Sequence, residues 1–212
     1  MSSFCFQFPR ARALSRAKSR RGRAPLFAAT LGVLLLLLPG RCLAAGNSIE
    51  YQVKAGFLFN FAKFVEWPDS AQNPNKPLRL GVVASDDIYD LMASTLSGKV
   101  ANHRPIKVER VTAAELDGTA VLPDMIFVQQ DIVRSRQDLG FTLPQLFTAV
   151  AKQQPILLVG ESADFAMSGG TIGFVQRGEN LRFQVNLADA RRAGLKLSAH
   201  LSGLAEIVTD GP

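Results

Sequence analysis

Four short apolar runs limit what this chain can fold into. Residues 78–84, 105–111, 124–128 and 155–160 are rich in Val, Ile, Leu and Met, and each is too short for an ordinary helix. The intervening stretches carry helical spacing. Ile88, Leu91, Met92 and Leu96 follow the first run, with Ser85 or Asp86 as the expected cap and Gly98 as the stop. Leu143, Leu146, Phe147 and Val150 share one face of a helix expected over 141–153, before the fourth run. Strands separated by helical crossovers pair in parallel and need both sheet faces covered. The expected fold class is therefore α/β: a mixed, largely parallel sheet flanked by helices. The 105–111 run places Ile106 and Val108 inward and Lys107, Glu109 and Arg110 outward, the pattern of a strand at or near an edge.

The C-terminal third follows a different pattern. Segments 171–176 and 181–187 are joined by Arg177-Gly178-Glu179-Asn180, a turn sequence, so a β-hairpin is expected, with an open outer edge. Short helices follow. Asn186 starts one that Gly194 ends, and Ser198 starts another with Leu201, Leu204, Ala205 and Val208 on one side.

Residues 50–68 hold the densest group of large apolar side chains after the N-terminal run, including four Phe and the chain's only Trp. Val53, Phe57, Phe61, Phe64 and Val65 make one helical stripe; Tyr51, Ala55, Leu58, Phe59 and Ala62 widen it. A core helix is expected, capped by Asn47 or Ser48 and ended by Pro68, with Trp67 at the end that a partner would meet. Lys54, Asn60, Lys63 and Glu66 interrupt it too often for a membrane span.

The first 45 residues read as a cleaved secretory signal. Seven Lys and Arg precede a 13-residue apolar stretch, 26–38, which is followed by Pro39-Gly40 and a small-residue cut near Ala44 or Ala45. These 45 residues hold 8 of the 24 Lys and Arg and none of the 18 Asp and Glu. The expected domain, residues 46–212, then carries 16 basic against 18 acidic side chains, so the high isoelectric point belongs to the signal and gives no basic face for nucleic acid. Both cysteines, Cys5 and Cys42, lie in the signal, which leaves the domain without a disulfide or thiolate metal site.

Catalytic motifs do not assemble. His103 and His200 have no spaced ligand partners. Gly160-Glu161-Ser162-Ala163-Asp164 opens like a nucleophile elbow but lacks the closing Gly. Asp86-Asp87, Asp131 and Ser162 imitate a phosphorylatable receiver, yet Gln129-Gln130 stands where its acceptor carboxylate belongs. A binding surface is the better expectation, at the carboxyl edge of the sheet, which should carry Ser85-Asp86, Gln129-Gln130 and residues 160–165. The residues singled out for partner contact are Trp67, Glu161, Ser162, Phe165 and Arg182; no cofactor, metal or catalytic residue is expected.

Three motifs carry a family resemblance. The run 50–68, from Glu50-Tyr51-Gln52-Val53-Lys54-Ala55 to Glu66-Trp67-Pro68, resembles the opening helix of the YfiR family of periplasmic regulators. The second motif is Gly169-Gly170-Thr171-Ile172-Gly173-Phe174 with Leu181-Arg182-Phe183-Gln184-Val185-Asn186-Leu187, and the third is Ala190-Arg191-Arg192-Ala193-Gly194-Leu195-Lys196-Leu197-Ser198. The resemblance implies a periplasmic, non-enzymatic protein that binds the periplasmic sensor domain of an inner-membrane diguanylate cyclase. Binding would restrain cyclic-di-GMP synthesis and biofilm formation. It also implies self-association, and no membrane insertion once the signal is gone. The better-known members use cysteines in this domain; here there are none, so disulfide control does not transfer. The alternative is a periplasmic small-molecule-binding module feeding another membrane sensor, such as a histidine kinase.

Overall fold

The computed structural model describes residues 45–68, 75–112, 115, 121–130, 142–153, 155–162 and 164–209. In chain order the elements are α1 (Ala45–Phe64), β1 (Val65–Glu66), β2 (Leu78–Val83), α2 (Asp86–Leu96), β3 (Val100–Ala101), β4 (Arg104–Arg110), β5 (Met125–Val128), α3 (Leu143–Gln153), β6 (Leu157–Glu161), β7 (Ile172–Arg177), β8 (Asn180–Asn186), α4 (Leu187–Arg192), β9 (Lys196–Leu197), α5 (Ala199–Leu204) and β10 (Glu206–Val208). The main sheet runs β10-β8-β7-β6-β5-β2-β4-β3. Its centre, β4-β2-β5-β6-β7, is parallel, whereas β8 returns antiparallel to β7. The fold is mixed α/β with a mostly parallel sheet, as the apolar runs require.

Two cores follow from the period-2 alternation of the strands. On one face Leu80, Val82, Met125, Phe127, Leu157, Val159, Ile172, Phe174, Phe183 and Val185 pack under α1 and α2. On the other, Val83, Ile126, Val128 and Leu158 meet Leu146, Ala149 and Val150 of α3. The first core is anchored by aromatic rings. Phe61 lies 5.1 Å from Phe183 and 5.8 Å from Phe174 between ring centres, and Phe57 lies 5.9 Å from Phe174. Such tilted and offset pairs add to what area burial alone contributes.

Helix α1 departs from expectation in three ways. It starts at Ala45, so Asn47 and Ser48 lie inside it rather than capping it. Its buried side is Tyr51, Lys54, Ala55, Leu58, Phe61 and Ala62, whereas Val53 is 46% exposed. The buried side thus takes Tyr51, Ala55, Leu58 and Ala62 from the second apolar set and Phe61 from the first, and it includes Lys54, which meets a buried carboxylate. The helix also ends at Phe64 rather than at Pro68. Val65 and Glu66 turn extended and pair antiparallel with Leu197 and Lys196. The Asn102 side chain donates to the last-turn carbonyl of Ala62 (3.1 Å) and to that of Val65 just past the helix (3.4 Å), which takes the place of a glycine cap.

Two further differences concern strands and one a helix cap. A tight β3-β4 hairpin, unexpected from the sequence, turns through Asn102 and His103 at φ 48° and 64°. Asn tolerates that region, and its side chain is the one that caps α1. The last helix stops at Leu204, and Glu206–Val208 is strand β10, parallel to β8. That strand covers the hairpin edge expected to be open, so the exposed edge on this side belongs to β10. Asp86 does not cap α2 either. Ser85 holds the cap position without a side-chain cap bond, while Asp86 is the first helical residue and pairs with Arg110 at 2.7 Å. Asp131 lies outside the described residues.

The hairpin and its sequel are as expected. Val175 pairs with Arg182 and Phe174 with Phe183 around a Gly178-Glu179 turn. The Asn186 carboxamide oxygen accepts from the amides of Ala188 and Asp189, both at 3.0 Å, and its amino group donates to Ala166 O at 2.9 Å. Ser198 Oγ accepts from Leu201 N at 3.2 Å.

Candidate functional site

The chain passes from β2 outward to β4 and then crosses back to β5 on the other side. The order of strands therefore reverses between β2 and β5, and the crevice beyond their carboxyl ends is where parallel α/β sheets take ligands. A cavity of about 440 Å³ lies at that edge. Its lining includes Asp87 and Ile88 from the start of α2, Gln129 and Gln130 after β5, Glu161 and Ser162 after β6, Gln176 and Arg177 of β7, and Glu50, Tyr51 and Lys54 from α1. Of the three segments expected to form this edge, two supply walls, Gln129-Gln130 and, through Glu161 and Ser162, residues 160–165; Ser85-Asp86 does not, and Asp87 and Ile88 line the cavity instead.

Its floor is a buried ion pair. Lys54 is 4% exposed and Glu161 9%. Lys54 Nζ donates to Glu161 Oε1 at 2.8 Å and also pairs with Glu50 one turn earlier. Glu161 Oε2 accepts from Tyr51 Oη at 3.1 Å and from the backbone amide of Gln130 at 3.2 Å. The ammonium lies 4.4 Å from the centre of the Tyr51 ring, a cation–π contact. A buried charge pair is tolerated when its remaining hydrogen-bonding capacity is met, and that condition holds here. The first helix is thereby tied to the ends of β5 and β6. On the neighbouring wall, Gln129 Oε1 accepts from Ser85 N at 2.9 Å and from Ser85 Oγ at 3.2 Å, which joins the end of β5 to the end of β2.

The five residues singled out for partner contact occupy different environments. Glu161 and Ser162 line the cavity. Arg182 is exposed on β8. Phe165 is buried, with its ring laid between Gly160 and Gly170, and a Cβ at either glycine would collide with it. Phe147 of α3 meets the same ring edge-on at 5.6 Å. Trp67 is 4% exposed, and its Nε1 donates to Asp124 O at 3.2 Å. Asp124 also accepts from Arg79 N at 2.8 Å and from the buried Arg104 at 3.0 Å, so this tryptophan belongs to a structural network at the amino ends of β2 and β5. The residues that sequence reasoning missed are Tyr51 and Lys54. A Lys in the middle of an apolar helix, with Glu50 four residues before it, was the available signal.

Neither histidine reaches the cavity. His103 is in the β3-β4 turn, and the His200 ring lies tilted against Phe64 at 5.3 Å between ring centres. Among the described residues no three His, Cys, Asp or Glu are grouped to hold a metal ion, and no helix is long and apolar enough to cross a membrane. On the hairpin, Arg177 grips Glu206 through two hydrogen bonds (3.0 and 2.6 Å). Those bonds, and then the charge, hold the Glu206 carboxyl below the usual carboxylate range and the guanidinium above its own.

Comparison with known proteins yields fold relatives and a family. No curated protein matches the chain. A conserved domain protein from Vibrio cholerae O1 biovar El Tor superposes with a TM-score of 0.50 at 11% identity, covering 74% of this chain and 59% of that one. An ABC domain in complex with L-Trp from Streptococcus pneumonia gives a TM-score of 0.46 at 13% identity, with 74% and 60% covered. The chain thus spans about three fifths of the length of these two structures, and the likeness to the Vibrio cholerae protein is one of fold. The model of the YfiR/HmsC-like family matches residues 51–206, from Tyr51 at the cavity to Glu206 on the last strand, and the chain belongs to that family.

Proposed function

We propose that this protein represses a membrane diguanylate cyclase from the periplasmic side, by binding the cyclase's sensor domain. The observation that carries the reading is the family match over residues 51–206. Membership supports the coarser part, a periplasmic regulatory protein rather than an enzyme; the cyclase as partner is our extension of it. The leading 45 residues, with their basic and then apolar stretches, supply the export signal, cut near Ala44 or Ala45. The mechanism is population shift. The regulator binds the inactive arrangement of the cyclase more tightly than the active one, and a hundredfold difference, about 2.7 kcal/mol, is enough for useful control. Partner contact falls on the exposed Arg182 and on Ser162 in the cavity wall, while Glu161 is buried in the floor beneath it. Trp67 and Phe165 are buried in the single chain, so a partner reaches them only by displacing what covers them.

The test is cellular cyclic-di-GMP in the native bacterium, with the coding region deleted and then restored. A rise on deletion that returns to baseline on complementation is the expected result. An unchanged level across several growth conditions sinks the cyclase reading. It would favour the second one, a small-molecule-binding module serving another membrane sensor such as a histidine kinase, to which the cavity at the strand reversal lends specific support.

A further inference from the structure

The cavity at the carboxyl edge is satisfied at its floor and unsatisfied on one wall. Lys54 Nζ is shared between Glu50 and Glu161, and both Glu161 oxygens are taken by Lys54, Tyr51 and the Gln130 amide, so the floor needs no ligand. The wall between the ends of β2 and β5 differs. Gln129 is 6% exposed, and its Oε1 accepts from Ser85 N at 2.9 Å. Its Nε2 meets no acceptor among the described residues and is not sealed inside the protein, so this amino group of a buried side chain opens into the cavity that Gln129 lines. A donor held away from bulk water and left without a partner is costly, which makes the cavity beside it a place for an acceptor.

The groups around Gln129 have spare capacity of both kinds. The first turn of α2, which brings Asp87 and Ile88 to the lining, has no side-chain cap for its amides. The Ser162 hydroxyl and the Gln130 carboxamide line the cavity with no side-chain partner among the described residues. Asp87, exposed at the mouth, offers an acceptor. Charge argues against an anion: Glu50, Asp87 and Glu161 face only Lys54 and Arg177, and both cations are already paired. The filled floor argues against a deep ammonium. A neutral ligand that donates and accepts at several points fits the rest. The volume, about 440 Å³, falls within the range of small-molecule sites, and Ile88 and Phe174 add apolar surface.

We propose that this cavity binds a neutral polyhydroxylated molecule of monosaccharide size. A hydroxyl donates and accepts, so one ligand class meets Gln129 Nε2 with lone pairs, Asp87 with a proton and Ser162 with either. Ring C–H groups lie on Ile88 and Phe174. The proposal deepens the second reading above by naming the ligand class. Binding is read on the purified chain alone, so its failure leaves the cyclase reading to the cellular test.

The probes are D-glucose, D-galactose, D-mannose and myo-inositol, each titrated calorimetrically into the purified chain, with glucuronate and glucosamine as charged comparisons. Saturable one-to-one binding is expected for at least one neutral probe, tighter than for either charged one. Gln129→Met keeps the length of the side chain and removes the amino group, and it should weaken binding about tenfold; Ser162→Ala should weaken it about 3-fold, each on the scale of one hydrogen bond. Gln129→Met also unpairs Ser85 N, so far-UV circular dichroism checks its fold, and Ser162→Ala, at a half-buried position, decides the matter if it does not fold. The proposal is overturned by no saturable binding of any neutral probe up to about 50 mM. Tighter binding of glucuronate or glucosamine, or unchanged affinity in either folded variant, overturns it too.

Discussion

Replacing Lys54 with Met tests whether the buried ion pair holds the first helix on the sheet. The substitution keeps the aliphatic stem and deletes the ammonium, leaving Glu161 inside the fold with Tyr51 Oη and the Gln130 amide as its remaining donors. Removing one partner of a buried pair costs about 3–5 kcal/mol when the other charge is stranded. Two features reduce that here. Glu161 keeps two hydrogen bonds, and it borders a cavity that water can enter. The lost pairing with the half-exposed Glu50 adds no more than about 1 kcal/mol. The expected loss is about 3 kcal/mol, a melting temperature lower by roughly 6–12 °C for a domain of this size. Urea titration followed by far-UV circular dichroism measures it, on Lys54→Met, Glu161→Gln and the double variant. The double variant should lose clearly less than the two singles added together, because no charge is left unpaired. A Lys54→Met loss under about 0.5 kcal/mol, or strict additivity of the singles, refutes the argument that the pair acts as one unit.

Other residues give sharper local predictions. Gly160→Ala drives a methyl group into the Phe165 ring and should destabilise by about 1–3 kcal/mol in the same titration, whereas Gly56→Ala, which meets nothing, should be neutral or slightly stabilising. Asn186→Ala removes the cap of α4 and leaves the Ala166 carbonyl without its buried donor, for a loss of about 2–3 kcal/mol by thermal unfolding. The Glu206 carboxyl is held low by Arg177, so its link contributes above the ordinary carboxylate range and is lost as pH falls through the folded value. Hydrogen exchange at the β10 amides, corrected for intrinsic rates, should therefore quicken below about pH 4, and Glu206→Gln should lack that step. Sedimentation of the purified chain tests self-association, with Ile207→Lys, on the exposed edge strand, as the variant expected to favour the monomer.

Much of the architecture was legible because short β-branched runs have few alternatives. Residues 78–84, 124–128 and 155–160 became β2, β5 and β6 within a residue or two, side by side in the sheet. The cap at Asn186 and the stop at Gly194 were readable for the same local reason: each answers a backbone need within one turn. What failed was set by distant partners. Val65 and Glu66 leave the helix because Lys196 and Leu197 offer them a ladder more than a hundred residues on. Residues 206–208 continue a helical spacing that would suit α5, but the open edge of β8 accepts them as a strand instead. His103 turns at positive φ because the β3-β4 hairpin and the carbonyls under Asn102 demand it, with no glycine to announce the turn.

The cavity illustrates both halves of this division. Its position followed from a topological rule, since strands that run parallel and reverse order leave a crevice at their carboxyl ends. Its chemistry did not, because Lys54 and Glu161 lie far apart in the chain and nothing local pairs them. A lysine inside an apolar helix is costly unless a carboxylate meets it, so its presence at position 54 already required an acidic residue somewhere on the sheet. Of the acidic residues expected at the carboxyl edge, Asp86 and Asp164 are exposed, whereas Glu161 directly ends a buried strand. Glu161 is thus the one carboxylate there whose own burial also requires a cation. Two desolvated charges of opposite sign stabilise each other only together, and that mutual requirement fixes α1 over the ends of β5 and β6 and gives the cavity its floor.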